Sequence, residues 1–331
     1  MCNGTIMDKL ISFSIPLMLS GILQLMFNAV DIVVVGRFSG SQALAAVGST
    51  TALINVFTNL FIGISLGANV LAARYYAAGK TKEMSETVHT AIALALVSGV
   101  AMAVIGVVFA RGALEIMGTP DDVIAKSTLY MRIYFCGMPF FMMYNYGAAI
   151  LRAVGDTKRP LIFLIVSGVI NAVLNLFLVI GFHLDVAGVG IATVISQLVS
   201  CILVLRCLHH TESSYQLHLA KLRIRSVYLK QIFEVGVPAG IQSTVINISN
   251  AMLQSSVNSF GSIAMAGYTA SNNIFGFLYV SVNSFTQACM SFTSQNYGVK
   301  KLKRMDRVLI DCMILSVVVT LILGSLSLIH I

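Results

Sequence analysis

The clearest shortage in this 331-residue sequence is of charged residues. Asp, Glu, Lys and Arg make up only 10% of it, whereas soluble domains carry about 25%. Hydrophobic residues make up 57% of the chain. Tryptophan is absent, so Tyr, Lys and Arg must anchor the membrane interfaces. This balance excludes an ordinary soluble domain and predicts a protein embedded in a lipid bilayer.

Motifs for common enzymatic and metal chemistry are also missing. The sequence contains no GxxxxGK[ST] phosphate-binding loop and no HExxH zinc motif. Its six cysteines show no CxxC spacing, which favours small apolar packing groups over metal ligands or a disulfide framework. His209, His210 and His218 share one loop without a convincing set of cysteine or carboxylate partners. We expect no enzyme, no metal site and no cofactor.

Nine apolar runs are long enough to cross a bilayer, which requires roughly 20 residues each. The sequence therefore predicts an all-α polytopic membrane protein. The predicted spans are Leu10–Val35, Ala43–Ala73, Val88–Ala110, Thr128–Leu151, Leu161–Phe182, Val186–Leu205, Gln231–Val257, Ala264–Gln295 and Val308–Ile331.

The net charge of +8 would suit a nucleic-acid partner, but the positions of the basic residues argue against one. If the N-terminus is cytoplasmic and the spans alternate, seventeen of the 21 Lys and Arg residues fall on the inner side. This is the positive-inside bias of membrane proteins. We predict a multi-pass monomer with a cytoplasmic N-terminus in a cell membrane, the bacterial inner or plasma membrane, whose partners are lipids and small molecules. The outer exceptions are Arg37, Arg111, Lys126 and Arg132.

The chain contains an internal repeat whose two copies, Ile11–Met84 and Phe233–Met305, lie about 222 residues apart. Pro16 corresponds to Pro238, Asn28 to Asn250 and, after a one-residue deletion, the basic cluster at Lys80 to that at Lys301. Six spans precede the only long polar loop, so both copies enter the membrane from the same side, as in parallel transporter repeats. We predict lobes at 1–207 and 231–331, joined by a cytoplasmic loop at 208–230. The second lobe holds three spans, so three further helices are expected to complete twelve.

Three prolines lie within predicted spans. Proline removes a backbone hydrogen bond and kinks a helix. Pro16 and Pro238 occupy matching places in the first span of each lobe, and Pro139 falls midway along the fourth span. These three residues are predicted structural kinks, either for packing or for bending during transport.

Asp31 is the sharpest polar signal because a carboxylate inside a membrane is costly and usually functional. Removal from water favours its neutral, protonated form. Asn171 and Asn175 lie four residues apart on one helix face, and Asn145 and Thr193 lie in neighbouring spans. We predict that these five residues form a cation-coupling site for H⁺ or Na⁺. The alternative is that they join helices by hydrogen bonds.

Several large or polar side chains could line a substrate cavity. Methionines and aromatics suit flat apolar ligands, although packing in the core or against lipid explains such residues more often. The candidates are Met26, Asn28, Met142, Asn250, Phe275 and Tyr279.

Three segments resemble signatures of the multidrug and toxic compound extrusion (MATE) transporters. Leu151-Arg-Ala-Val-Gly-Asp-Thr-Lys-Arg-Pro160 resembles the connection between their fourth and fifth helices. The stretch Asn28-Ala-Val-Asp31 after Pro16 resembles their first helix, and Ser294-Gln-Asn-Tyr-Gly298 the end of their eighth. The resemblance runs from about Leu10 to Asp311.

This resemblance implies a twelve-helix, two-lobed antiporter that exports organic cations and other drugs in exchange for H⁺ or Na⁺. It also implies that Asp31 is the coupling aspartate of the first helix, with Asn171 and Thr193 nearby. Many relatives carry a second aspartate where this chain has Asn175. Some use a glutamate near Asn247, in a helix whose apolar middle has none here.

We expect two lobes to rock about a central cavity while ion binding at Asp31 weakens substrate binding. A lipid-linked saccharide flippase is an alternative of similar architecture. It would need cationic residues in its cavity for a diphosphate headgroup, whereas here the basic residues lie almost entirely at inner helix ends. A second alternative is a membrane fragment that does not transport.

Overall fold

The computed structural model describes residues 1–258 and 262–329, so the predicted end of the ninth span at Ile331 lies outside it. Across the described residues the chain is helical, with ten α-helices and no strand, which confirms the predicted all-α class. The helices are α1 Ile6–Phe38, α2 Ser41–Ala77, α3 Thr81–Ile116, α4 Asp121–Cys136, α5 Met138–Ala153, α6 Lys158–Leu176, α7 Asp185–His209, α8 Ser226–Asn258, α9 Ser262–Gly298 and α10 Leu302–Ile329.

The fourth predicted span is two helices rather than one. The chain breaks at Gly137, and Pro139 lies in the first turn of α5, where proline is tolerated because no intrahelical donor is lost. Pro139 therefore starts a helix instead of kinking one. Pro16 and Pro238 do lie inside α1 and α8, as predicted.

Six helical stretches in the described residues are long and apolar enough to cross a membrane by length and composition. The other predicted spans correspond to the α4–α5 pair, α8 and α9. The six stretches are Ile6–Phe38, Ser41–Ala77, Thr81–Ile116, Lys158–Gly181, Asp185–His209 and Leu302–Ser325.

The helix lengths repeat in the order that an internal duplication requires. Both α1 and α8 have 33 residues, and both α2 and α9 have 37. Counting α4 and α5 as one broken span, six spans lie before the long loop and three after it. This arrangement fits an incomplete twelve-helix repeat.

The helices before the long loop, α1–α7, pack closely against those after it, α8–α10, at one end of the molecule. This end carries most of the basic residues and is called the basic end hereafter. There α2 packs along α8 through facing glycines. A Cβ built on Gly63 would lie 2.2 Å from the Cα of Gly240, and one on Gly67 would lie 2.1 Å from the carbonyl oxygen of Ile232. Only glycine permits backbones to approach so closely, so these positions determine how tightly the basic end closes.

Polar side chains join helices of both groups just beside this glycine contact. Asn69 on α2 donates from Nδ2 to the carbonyl oxygen of Ala149 on α5 at 2.8 Å and accepts from Ser291 on α9 at 3.0 Å. Gln295 on α9 donates to the carbonyl oxygen of Ala153 at 2.6 Å. These hydrogen bonds span three helices away from water, so they fix the closed arrangement of the basic end.

The loop between α7 and α8, hereafter the inter-lobe loop (His210–Arg225), is fastened to α3. Glu86 pairs with Arg223 at 3.3 Å and with Arg225 at 3.0 Å. The backbone N–H of His218 donates to His89 Nε2 at 3.1 Å, and the two imidazole rings stack. The inter-lobe loop is therefore held against α3 by ion pairs, a hydrogen bond and ring stacking.

Candidate functional site

A polar cavity of about 340 Å³ lies within the first six spans. Residues of α1, α2 and α4–α7 line it, and α8–α10 contribute none of the described lining. Asp31 is the only Asp, Glu, Lys, Arg or His among these lining residues. The cavity therefore presents a single carboxyl group surrounded by amides, hydroxyls and aromatic rings.

Asp31 belongs to a chain of hydrogen bonds that crosses three helices. Asn175 on α6 donates from Nδ2 to Asp31 Oδ1 on α1, and the same amide lies 3.2 Å from Asn171 Oδ1. Asn171 donates in turn towards Thr193 Oγ1 on α7 at 3.5 Å. Four of the five predicted coupling residues are thus brought together.

The close approach of α6 to α1 has a specific cause in the sequence. A Cβ built on Gly168 would lie 1.9 Å from Cζ of Phe27, so only glycine lets the Phe27 ring lie against α6. Phe27 is one turn before Asp31 on α1, and Gly168 is about one turn before Asn171. This contact sets the separation across which Asn175 reaches Asp31.

A change of helix type follows Asn175 directly. After Leu176 the chain continues as a π-helix, Phe177–Gly181, a form that is rare and occurs frequently at functional sites. Asn175 is fully buried, and its Oδ1 has no hydrogen-bond partner among the described residues. A buried amide oxygen without a donor is costly, and it leaves one acceptor beside the carboxyl group.

Several cavity residues were not identified from the sequence. Most are polar or aromatic, and several lie four residues from another lining residue on the same helix face: Gln24 from the predicted Asn28, Asn55 from Asn59, Tyr130 from Tyr134, Gln197 from the predicted Thr193, and Ser196 from Ser200. Residues four apart share a helix face. The same spacing that singled out Asn171 and Asn175 was therefore a usable signal in four other helices.

Other predicted site residues lie elsewhere. Asn145 donates to Phe141 in its own helix at 2.8 Å and does not line the cavity. Met142 has no exposed surface and belongs to the hydrophobic core, so its thioether does not face a cavity. Of the predicted substrate ligands, Asn28 lines the Asp31 cavity. The remaining four are exposed and are not among its lining residues: Met26, Asn250, Phe275 and Tyr279.

Comparison with protein families identifies the chain's relatives. The family model described as MatE matches residues 16–177 and 238–330, which include both halves of the internal repeat. The chain belongs to the MatE family. In the matched region this MATE chain carries Asp31, Asn171 and Asn175.

Curated relatives agree with this membership. The chain is 33% identical over 304 residues to the probable multidrug resistance protein YoeA of Bacillus subtilis, covering 90% of this chain and 66% of that protein. It is 23% identical to the FAD transporter of Shewanella oneidensis over 310 residues, covering 91% and 67%. This MATE chain thus spans about two-thirds of the length of these relatives, whose names describe transport or resistance rather than enzymatic activity.

Solved structures show the same fold. A crystal structure of MATE in the straight conformation has a TM-score of 0.90 and 21% identity, covering 98% of this chain and 72% of that one. An outward-facing multidrug resistance MATE transporter has a TM-score of 0.87 and 22% identity, covering 93% and 69%. At this identity the likeness establishes the fold alone.

Proposed function

We propose that this MATE chain forms part of a secondary active antiporter, which exports organic cationic or amphipathic compounds in exchange for H⁺ or Na⁺ by alternating access. The observation that carries the proposal is the Asp31–Asn175–Asn171–Thr193 network beside a cavity whose described lining holds no charged side chain other than Asp31. One carboxylate is sufficient to bind one coupling ion, because binding H⁺ or Na⁺ neutralises the charge of Asp31.

The network suggests how the carboxyl group holds its ion. Asn175 presents an N–H to Asp31, and an amide donor stabilises a carboxylate that has lost its proton. For Na⁺ the amide would have to turn so that its oxygen faces the ion, since Na⁺ is bound by oxygen atoms. Both ions remain candidates, and each would displace the same hydrogen bond.

Substrate exchange follows if the ion-loaded and ion-free states differ in affinity for the substrate. An ion that binds both states equally well couples nothing. Ion binding at Asp31 would weaken the link between α1 and α6, and α1 also contacts α9 of the second lobe. Movement of α1 therefore offers a route from the ion to the contact between lobes.

The orientation of the chain in the membrane follows from the distribution of its Lys and Arg residues. The basic end, where α2 and α8 meet, holds most of the Lys and Arg residues and would face the cytoplasm. The conformation described above would then be closed on the cytoplasmic side. A monomer in the cell membrane, with its N-terminus inside, agrees with this placement.

The chemistry of the cavity favours cationic, aromatic substrates over anionic ones. Asp31 supplies negative charge, and rings such as Tyr130, Tyr134 and Phe141 offer faces that attract cations. No Lys or Arg is among the described lining residues, which disfavours a flippase for diphosphate-linked saccharides.

The test is gradient-driven efflux of a fluorescent cationic dye, measured in everted membrane vesicles that contain the full-length gene product. Asp31→Asn keeps the side chain's shape but cannot exchange an ion, so it should abolish efflux driven by a pH or Na⁺ gradient. Asp31→Glu should retain part of it. Asp122→Asn removes an exposed carboxylate outside the cavity lining and should behave as wild type.

Gradient-driven efflux by Asp31→Asn at the wild-type rate would exclude Asp31 as the coupling residue. If the wild type showed no efflux under either gradient, antiport itself would be excluded and the non-transporting alternative favoured.

A further inference from the structure

A second cavity lies at the basic end, where it takes no part in the Asp31 network. It has a volume of about 500 Å³, within the range of small-molecule sites. Its walls come from the start of α1, the end of α2, the α5–α6 turn, the inter-lobe loop and α9. Phe13 and Phe292 form its apolar floor, with ring centroids 5.5 Å apart.

Two lysines give this cavity a positive charge. Lys9 and Lys158 both line it. Lys9 Nζ donates to the carbonyl oxygen of Asn3 at 2.6 Å, which leaves two ammonium protons for a ligand. The acidic residue of the lining, Asp156, is already engaged: its Oδ2 lies 3.3 Å from Arg159 Nε, and its Oδ1 accepts the Arg159 backbone N–H.

A nearly buried threonine whose hydroxyl has no partner among the described residues lies at the wall of this cavity. Thr157 lines the cavity and is only 3% exposed, yet its side chain makes no hydrogen bond to any residue that the structure describes. It occupies the N-cap position of α6, where a threonine normally accepts a backbone N–H. Because Thr157 lines the cavity, a molecule bound there could supply the missing partner.

The surrounding geometry suits a phosphate group in particular. Lys158 begins the 19-residue helix α6, whose dipole favours an anion near its N-terminus, although the Arg159 N–H is already taken by Asp156. Tyr76 and Tyr215 also line the cavity and meet edge to face, with ring centroids 6.1 Å apart. Burial raises the pKa of the Tyr215 phenol, so it remains a proton donor at neutral pH.

We propose that this cavity binds a phosphate group, held by Lys9, Lys158 and the Thr157 hydroxyl beside the N-terminus of α6. The group could belong to an anionic phospholipid of the inner leaflet or to a soluble phosphate compound. Because Phe292 on α9 and Phe13 on α1 share the floor, the occupied cavity stabilises the closed basic end. The proposal does not depend on Asp31 or on the identity of any transported substrate.

The experiment measures binding and thermal unfolding of the full-length protein in nanodiscs of phosphatidylcholine. One arm adds phosphatidylglycerol to the discs, and lipid retention is followed by native mass spectrometry. The other adds inorganic phosphate or glycerol 3-phosphate to discs without phosphatidylglycerol. A response to the lipid alone identifies a headgroup site, whereas a response to soluble phosphate identifies a site open to the cytoplasm.

Lys158→Gln and Thr157→Val should each weaken binding about tenfold, as expected for the loss of one hydrogen bond to a charged group. Lys158→Arg should retain binding, and thermal unfolding without ligand should show that each variant remains folded. Lys82→Gln removes the same charge from an exposed position at the start of α3, outside the cavity, and should bind as wild type.

Absence of binding and of stabilisation in both arms for the wild type would overturn the proposal. So would equal losses for Lys82→Gln and Lys158→Gln, because that result would show general attraction to a basic surface rather than a built site.

Discussion

Replacing Gly168 with alanine should uncouple transport without preventing the protein from folding. The added Cβ would lie 1.9 Å from Phe27 Cζ, whereas non-bonded carbon atoms rest at about 3.5–4.0 Å. Relief therefore requires α1 and α6 to separate, or the ring to move, by roughly 1.5–2 Å. If the helices separate by that distance, the Asp31–Asn175 hydrogen bond is lost, since N–H···O distances span only about 2.7–3.2 Å.

The expected consequence is loss of the Asp31–Asn175 contact. Overpacking of this kind costs about 1–3 kcal/mol, which lowers the unfolding temperature but leaves most of the protein folded. Gradient-driven dye efflux should fall at least tenfold, because a 1.4 kcal/mol loss at the coupling site already changes an equilibrium by that factor. Efflux and thermal unfolding are measured on the same preparations.

Two further variants separate the contact from a general effect of the substitution. Gly112→Ala on α3 places a methyl group where nothing lies within 4 Å, so efflux and stability should stay at wild-type values. Phe27→Leu combined with Gly168→Ala should recover part of the lost efflux, since residues in contact show coupled effects. If Gly168→Ala transports like Gly112→Ala, the packing of α1 on α6 does not position the site.

Three other outcomes are expected. Gly63→Ala should hinder closure of the basic end and raise the labelling of cysteines introduced there, whereas Gly48→Ala, with open space around it, should not. Glu86→Gln should release the inter-lobe loop from α3. Amide hydrogen exchange in the loop should become about fivefold faster, as expected for about 1 kcal/mol of weakened ion pairing. Glu115→Gln should leave exchange in that loop unchanged. Asn69→Leu should lower stability by about 1–3 kcal/mol in thermal unfolding, because buried partners on α5 and α9 lose their hydrogen bonds.

Much of the fold could be predicted because a membrane-spanning helix is recognisable from its own stretch of sequence. Apolar length and basic flanks give each span, and the repeat is visible in residues such as Pro16 and Pro238. The break at Gly137 was missed because hydropathy measures composition and not backbone continuity. A glycine two residues before a proline was the available sign of it.

The candidate site was only partly predictable for a related reason. Asp31 stands out alone because its cost in a membrane is large, and Asn171 and Asn175 are visible by their spacing. The predictions that placed Asn145 and Met142 in the site did not match the structure. The direction in which a side chain points depends on how packing rotates its helix, which the local sequence does not show. The role of Gly168 depends on one contact with Phe27, which no local pattern reveals.

The most direct test of the central claim is release of the coupling ion when substrate binds. Purified protein is first loaded with H⁺ or Na⁺ in a solution of low buffer capacity. A cationic dye is then added, and the concentration of free H⁺ or Na⁺ in the solution is recorded. If Asp31 exchanges its ion for substrate, binding and release are reciprocal. Wild type should then release about one ion per bound dye, and Asp31→Asn none. Dye binding by the wild type without release of either ion, or equal release by Asp31→Asn, would contradict the account.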